Sequence, residues 1–431
     1  MSGDLSFSSF RVVEERASSA RIGVTSALSR IGAITAGTTL LQAGNGLLQA
    51  LIPLRMSAAG MPVSAIGLVA TAYGVGFVSG CLLVPALVRR IGHIRAFASL
   101  AAVSAVVVLL FTQARSVVDW TLLRAISGLA LAGLFTVADS WISVRAQAAD
   151  RGRLISVYML ATKVALMLSP LCVGLGAITG DGLFMTASAL VCLSLLPLAS
   201  TTSEEPQLPG SLRPNIRALA RVAPSAVVGA FAVGLINGPV LALAPVFGVS
   251  IGLSPELAAA LLFALQGGGL VLQWPFGWWS DRVDRRIVIA ALAFGTAAVS
   301  GLVAWAGASG SPLAVIIACA LWGGLALCIY ATCVAHASDL VDARSIVPTI
   351  SGLLICWAVG TIVGPVIAAP LMDRIGPYGL FVYSGIVALL LGLFVALRIG
   401  MRTRSPSPGG FVDLSPSSPA TASLARQAGE S

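Results

Sequence analysis

Charged side chains are scarce in this chain of 431 residues. Asp, Glu, Lys and Arg together make up 10% of it and hydrophobic residues 57%, whereas soluble domains carry roughly 25% charged residues. A soluble fold of this composition would need a core larger than its polar surface could cover. Apolar runs of about twenty residues recur along the chain, each long enough to cross a bilayer of about 30 Å. The composition therefore predicts an integral membrane protein.

Lysine and histidine are nearly absent, which removes several kinds of site. Lys163 is the single lysine, and His93 and His336 are the two histidines. No Gly-x-x-x-x-Gly-Lys-Ser/Thr loop exists to cradle ATP phosphates. None of the seven cysteines forms a Cys-x-x-Cys pair, so a zinc site is not expected. The spans also lack a Ser/His/Asp, paired-carboxylate or metal constellation, so we expect neither enzyme activity nor a cofactor.

Twelve apolar spans are predicted, and each must be helical because lipid leaves backbone groups no other partner. The spans are residues 31–54, 65–88, 96–113, 117–142, 154–178, 183–200, 222–248, 256–279, 287–307, 312–336, 347–371 and 378–397. They divide the chain into an N-terminal segment (1–30), a six-helix bundle (31–200), a linker (201–221), a second six-helix bundle (222–397) and a tail (398–431). The tail is rich in Ser and Pro, which predicts disorder.

Arginines lie in alternate loops. They are frequent in residues 1–30, in the loops after spans 2, 4, 6 and 8, and in the tail, whereas the opposite loops hold only Arg55, Arg115 and Arg374. The positive-inside rule then places both termini in the cytoplasm of a multi-pass protein in a bacterial cytoplasmic (inner) membrane. The net charge of +9 is explained by these loops, so the partner expected is the lipid bilayer and not a nucleic acid. Residues 1–30 lack the apolar stretch of a signal peptide.

Two short patterns occur twice at one spacing. The stretch 45–53 begins Asn-Gly and ends in Pro, and so does 237–245, 192 positions later. The basic stretch 89–93 matches 281–285 at the same spacing. Two landmarks that share one spacing indicate a duplicated bundle. Duplicated bundles are typical of secondary transporters, in which substrate binds where the halves meet.

Three charges fall inside predicted spans: Arg124, Asp139 and Lys163. A charge at the bilayer centre costs at least about 2.5–3.5 kcal/mol, so each should face the bundle interior or a wet cavity. Arg124 and Asp139 share a face of one helix, within about 60°. Asp139 and Lys163 lie at compatible depths for an ion pair. We interpret Asp139 as the candidate proton site, with Lys163 as its partner and Arg124 as a biasing charge. The alternative is a structural pair or helix cap.

Polar uncharged and aromatic residues within the spans form a second set. Gln42, Asn45 and Gln49 lie on one helix face. The full set of cavity candidates is Gln42, Asn45, Gln49, Tyr73, Asn237, Gln266, Trp322, Tyr330 and Trp357. A cavity of amides and aromatic rings suits a neutral or amphipathic organic molecule. The alternative is that these amides only join helices, each contributing about 1 kcal/mol or less.

Several motifs resemble the major facilitator superfamily. Residues 277–286 read Gly-Trp-Trp-Ser-Asp-Arg-Val-Asp-Arg-Arg, similar to that family's signature turn, with Trp279 in place of Leu and Asp284 in place of Gly. The copy at 85–93 is degraded. Residues 123–128 resemble the Arg-x-x-x-Gly signature of its drug/proton antiporters, and 360–365 resembles its antiporter signature. The phrases at 138–142, 151–158 and 273–277 look like a poorly characterised bacterial exporter subgroup.

The resemblance implies an all-α membrane protein of twelve transmembrane helices in two pseudo-symmetric six-helix bundles, the major facilitator fold. It implies a monomeric secondary transporter that works by alternating access, and efflux of a small organic molecule by proton antiport. Asp281, Arg282, Arg285 and Arg286 would then form a gating turn that holds the ends of the C-terminal half together in one state. Metabolite uptake by proton symport and a non-transporting membrane sensor remain alternatives.

Overall fold

The computed structural model describes residues 5–145, 151–199, 216–342 and 345–401. The described chain is helical, with no strand assigned within these ranges. Its α-helices are α1 (Leu5–Ala58), α2 (Val63–Ile91), α3 (His93–Leu110), α4 (Val117–Arg145), α5 (Arg151–Leu168), α6 (Gly182–Leu193), α7 (Leu195–Ala199), α8 (Ile216–Val222), α9 (Pro224–Ser250), α10 (Pro255–Ser280), α11 (Arg285–Ala308), α12 (Pro312–Ser338), α13 (Ile346–Ile375) and α14 (Gly379–Met401).

Ten helical stretches of the described chain are long and apolar enough to cross a membrane, in α2 to α5 and α9 to α14. The first predicted span lies within α1, which begins much earlier, at Leu5. The sixth is the shorter apolar stretch Gly182–Pro197, broken between α6 and α7. The fifth span ends as a tighter 3-10 helix, Ser169–Leu175, with a proline at its start. Proline lacks the N–H that would continue the α-helix.

The predicted linker and tail lie mostly outside the described residues. The final part of the expected linker, 201–221, is the short helix α8, so the second half starts with a helical turn before α9. The expected tail from residue 398 overlaps the last turn of α14, which continues to Met401. The remainder of the tail prediction falls beyond the described chain.

The helix contacts repeat between the two halves. In the first half α1 packs on α5, α2 on α4, and α3 on α6; in the second half α9 packs on α13, α10 on α12, and α11 on α14. Each half is therefore a six-helix bundle built to one plan, and the two are related by pseudo-symmetry. Large apolar side chains such as Trp305, Leu390 and Leu397 remain exposed on the outer faces, where lipid can cover them.

Glycines permit the closest helix approach in both halves. A Cβ on Gly128 of α4 would overlap the Tyr73 carbonyl oxygen of α2, and a Cβ on Gly76 would overlap that of Ala125. The second half repeats this arrangement between α10 and α12, with Gly323 on Leu265 and Gly268 on Ala320. Gly128 is the glycine of the Arg-x-x-x-Gly motif. This glycine therefore has a packing role, because it lets α4 approach α2.

Candidate functional site

A cavity of about 920 Å³ lies between the two halves. Its wall is formed by α1, α2, α4 and α5 from the first half and by α9, α10, α12 and α13 from the second. Ligand pockets in proteins are usually about 300–1,000 Å³. The cavity is therefore large enough for a small organic molecule, at the position where duplicated bundles bind substrate.

The cavity extends to the arginine-rich ends of the helices. Its wall there includes Pro85 and Arg89 near the end of α2, Ser140 near the end of α4, and Val347 and Ser351 at the start of α13.

At the opposite, arginine-poor ends the two halves are in contact. The Asp373 carboxylate of α13 accepts hydrogen bonds from the backbone N–H groups of Val63 (3.0 Å) and Ser64 (2.9 Å), at the N-terminus of α2. The Thr71 hydroxyl of α2 donates to the Ile362 carbonyl of α13 at 2.9 Å. A carboxylate at a helix N-terminus satisfies free N–H groups and the helix dipole. The Asp373 contacts join the halves beyond the cavity, whose lining on α2 stops at Ile66, and the Thr71 contact joins them beside the cavity wall.

Most of the predicted cavity residues lie on its wall. They are Gln42, Asn45, Gln49, Tyr73, Asn237, Gln266, Tyr330 and Trp357. Asn45 Nδ2 donates to Gln42 Oε1 at 3.2 Å. Asn237 Oδ1 and Gln266 Nε2 are buried without a hydrogen-bond partner. The two amides therefore leave polar atoms for a ligand.

Trp322 is the exception, and its prediction as a cavity residue is wrong. The side chain is 0% exposed in the core of the second half. Its indole N–H donates to Ser300 Oγ at 2.9 Å, and its ring packs edge-on to Phe381. Sequence position alone could not separate a core face from a cavity face here, because α12 is apolar and buried on most sides.

Arg124 is on the cavity wall and is 7% exposed. Its guanidinium carbon lies 4.2 Å from the centroid of the Tyr73 ring, a cation–π contact between α4 and α2. Its Nη1 atom is buried and has no hydrogen-bond partner. Arg124 therefore faces the interior of the bundle and not its outer surface.

Asp139 and Lys163 have hydrogen bonds to different residues. Asp139 is 1% exposed, and its Oδ1 accepts a hydrogen bond from Tyr158 Oη at 2.9 Å. Tyr158 is on the cavity wall, so Asp139 lies one side chain behind that wall. Lys163 Nζ donates to Gln273 Oε1 at 3.2 Å, which connects α5 of one half to α10 of the other.

Sequence reasoning missed Tyr158 and Arg89 as site residues. Tyr158 lies four residues before Thr162, and both line the cavity from α5, so their shared helix face was the available signal. Arg89 belongs to the degraded first copy of the turn, at 85–93, where it occupies the position of the aspartate in the family pattern. Because it interrupts that pattern, the sequence did not mark it as a site residue.

The 277–286 turn, proposed from the sequence as a gate, is an ion-pair cluster. Arg285 is 3% exposed and donates from Nε to Asp339 Oδ2 at 2.6 Å. Its Nη1 also donates to Ser280 Oγ (3.1 Å) and Asp281 Oδ1 (3.3 Å). These bonds join the start of α11 to the ends of α10 and α12.

Arg286 and Arg282 extend the cluster. Arg286 pairs with Asp284, with Nη2 at 2.6 Å from Oδ2, and also donates to the Arg398 carbonyl of α14 at 3.5 Å. Burial alone would raise the pKa of Asp284, but the hydrogen bonds and charge of Arg286 hold this pKa below the usual aspartate value. Arg282 stacks on Trp278, 3.8 Å from its ring centroid. Every partner named for this turn belongs to the second half.

The groups on the cavity wall are suited to binding a ligand by hydrogen bonds, ring contacts and charge. Its wall offers amides, aromatic rings and cationic groups. Within the described residues, no group of three His, Cys, Asp or Glu side chains is placed to hold a metal ion.

Comparison with known proteins identifies the family. The model named Major Facilitator Superfamily matches residues 34–354 and, in a second match, 227–427. The chain belongs to the Major Facilitator Superfamily. Together the two matches cover residues 34–427, and they overlap over 227–354.

Sequence relatives agree with this assignment. The protein named Uncharacterized MFS-type transporter YcaD from Salmonella dublin is 25% identical over 340 residues, covering 78% of this chain and 87% of the relative. The protein of the same name from Escherichia fergusonii is 24% identical over 338 residues, with the same coverage. This chain is thus similar to proteins of a multi-pass transporter family.

The fold is similar to that of several crystallised transporters. The nucleoside transporter NupG has a TM-score of 0.74 at 12% identity, covering 86% of this chain and 99% of that protein. A bacterial homologue of the human lysosomal transporter Spinster, in an inward-facing and occupied conformation, has a TM-score of 0.71 at 14% identity, covering 86% and 96%. At these identities the similarity concerns the fold alone.

Proposed function

We propose that this protein is a secondary active transporter that moves a small organic molecule across the bacterial cytoplasmic membrane by alternating access. The observation that carries the proposal is the cavity between two pseudo-symmetric halves, which reaches the arginine-rich ends of α2 and α13, while Asp373 joins the halves beyond the cavity at the opposite ends. Rocking of the halves about this cavity would open it to each side in turn.

The arginine-rich ends face the cytoplasm in this proposal, with both termini on that side. The structure then corresponds to an inward-open state, and the Asp373 contacts close the outer side. One chain contains the complete cavity, so the working unit is a monomer.

Export by proton antiport is the direction we propose. Asp139 is the proposed proton site, because it is a buried carboxylate bonded to a hydroxyl on the cavity wall. A proton can reach it from the cavity through Tyr158. Uptake by proton symport would use the same cavity and carboxylate. Antiport and symport differ in the direction of the pH gradient that drives accumulation of the substrate.

Transport in proteoliposomes tests the proposal. Purified protein is reconstituted, and counter-flow is measured against a panel of labelled metabolites and drugs, with and without a pH gradient. We expect saturable counter-flow of at least one compound, and accumulation only when the compartment that gains the compound is acidic. Accumulation with the opposite gradient would support symport. Absence of counter-flow, with saturable binding of the same compounds intact, would contradict transport and favour a sensor.

A further inference from the structure

The charged residues on the cavity wall all carry positive charge. Among the described residues that line it, the charged ones are Arg89, Arg124 and Lys163, and no Asp or Glu is found with them. A cleft of one charge sign with low-dielectric walls concentrates ligands of the opposite sign. The wall thus disfavours organic cations and favours anions.

Arg124 is the cation best placed to bind a ligand. It is 7% exposed, and its Nη1 has no hydrogen-bond partner. The Tyr73 ring stacked against it supplies a cation–π contact but no counter-charge. Asp139 is fifteen residues further along the same helix, about 22 Å away, which is too far to pair. A buried cation is costly unless it is paired and hydrogen-bonded.

The opposite wall supplies an apolar surface. Tyr330 and Trp357 of the second half lie against each other with ring centroids 6.1 Å apart, and both line the cavity. Gln266 Nε2, on the same half, is a buried donor without a partner. A ligand that reaches from Arg124 to these rings therefore needs an anionic end and an apolar or aromatic body.

We infer that the cargo is an amphipathic organic monoanion, whose carboxylate or sulfonate group binds Arg124 and whose apolar part lies against Tyr330 and Trp357. The inference rests on the proposed function and narrows its substrate class. It keeps the amphipathic molecule expected from the sequence and excludes the neutral one. Arginine suits the role because its planar guanidinium can donate two hydrogen bonds to such a group.

Equilibrium dialysis of the purified full-length protein in detergent tests the inference with three probes that share a naphthalene ring and differ in the charge of its substituent. Naphthalene sulfonate is anionic, naphthalene sulfonamide is neutral, and naphthylmethyl trimethylammonium is cationic. We expect the sulfonate to bind at least about tenfold more tightly than the other two, because hydrogen bonds between charged groups are stronger than those between neutral ones.

Three variants locate the contact. Arg124→Gln should lose the preference for the sulfonate and keep the weak binding of the sulfonamide, which shows that the variant is folded. Arg124→Lys should restore part of the preference. Arg115→Gln, an exposed arginine before the same helix, is the matched control and should bind as the wild type does.

Three results would overturn the inference: equal binding of the three probes, no binding of any of them to the wild type, or an unchanged preference in Arg124→Gln. The measurement is at equilibrium and does not require transport. Selective sulfonate binding without counter-flow would therefore reject the transport function alone, whereas counter-flow of the probes without charge preference would reject the anion inference alone.

Discussion

Asp139 is a carboxylate surrounded by protein, with a tyrosine hydroxyl as a hydrogen-bond partner. Enclosure by the protein and the hydrogen bond from Tyr158 both act on its protonation equilibrium. A change in either as the halves move would change its affinity for protons. This is the physical basis for choosing it as the coupling residue over Lys163, which bonds across to the other half.

We predict that Asp139→Asn abolishes transport driven by a pH gradient but preserves exchange at equal pH. The amide keeps an acceptor for Tyr158 yet cannot take up a proton. Uptake assays in proteoliposomes with and without the gradient measure both activities. Asp119→Asn is the control, because Asp119 is an exposed carboxylate on the same helix that bonds only local groups. Full pH-driven transport in Asp139→Asn would remove it as the coupling residue, and parallel loss of both activities with protein level would indicate a structural role.

The sequence could predict most residues of the cavity but not their partners. The faces of Gln42, Asn45 and Gln49 follow from helical periodicity, and they line the cavity. The hydrogen-bond partners of Asp139 and Lys163 depend on helix rotation and on which half each helix meets, which no periodicity specifies. The prediction for Trp322 was wrong for the same reason, because α12 is buried on most sides and periodicity cannot say which face meets the cavity.

At the scale of helices, the glycine contacts of α2 with α4 and of α10 with α12 determine how closely each pair approaches. Gly128 and Gly323 occupy equivalent points of the two halves, each against a backbone carbonyl. A backbone atom cannot move aside as a flexible side chain can, so an added methyl group must separate the helices.

We predict that Gly128→Ala and Gly323→Ala each destabilise the protein by about 1–3 kcal/mol, the usual cost of overpacking. Thermal unfolding in detergent, followed by size-exclusion chromatography of the heated samples, measures the effect. Gly301→Ala is the matched control, because no atom lies within 4 Å of the added Cβ. It should unfold at the wild-type temperature or above it, since alanine favours helix over glycine. Equal unfolding temperatures in all three variants would contradict the packing account.

The bond between Asp373 and the start of α2 is one of the contacts between the halves that must break for the cavity to open at the arginine-poor end. We predict that Asp373→Ala increases the population of the state open at the arginine-poor end by about fivefold, because loss of a helix cap costs about 1 kcal/mol. Spin labels at Ala59 and Ser309, both exposed at that end, should show a larger long-distance population.

Asp181→Ala is the matched control for this experiment. Asp181 is a half-exposed carboxylate at the same end, and its ion pair with Arg55 (3.5 Å) lies within the first half. Removal of that pair should leave the distance distribution unchanged. Identical distributions in Asp373→Ala and the wild type would show that this contact does not hold the closed end.

Helix boundaries followed closely from hydropathy wherever a span is apolar throughout. The ninth span was predicted at 287–307, and α11 is Arg285–Ala308. Boundaries differed where local chemistry intervenes, as at Pro170, where the fifth span tightens into a 3-10 helix. The early start of α1 at Leu5 could not be predicted from hydropathy, because the charged residues within 1–30 lower the mean hydropathy of that segment.

At the scale of the whole molecule, export of a monoanion in exchange for a proton moves charge. An anion that leaves and a proton that enters each move one positive charge equivalent inward, so an inside-negative potential favours both. One charge across 100 mV is worth about 2.3 kcal/mol. We predict that a potassium diffusion potential, negative on the cytoplasmic side, increases export of naphthalene sulfonate at constant pH. Insensitivity to potential would indicate electroneutral exchange or symport of anion and proton.

The central claim is that one cavity becomes accessible from each side of the membrane in turn. Thr361 lies on the cavity wall midway along α13, and Thr361→Cys in a chain whose seven native cysteines are replaced gives it a single thiol. Labelling with a membrane-impermeant maleimide is measured from each side in oriented vesicles. The account predicts labelling from both sides, faster from the cytoplasmic side, with external labelling increased by Asp373→Ala. Labelling from one side only, both in the Thr361→Cys protein and in the same protein with Asp373→Ala, would contradict alternating access.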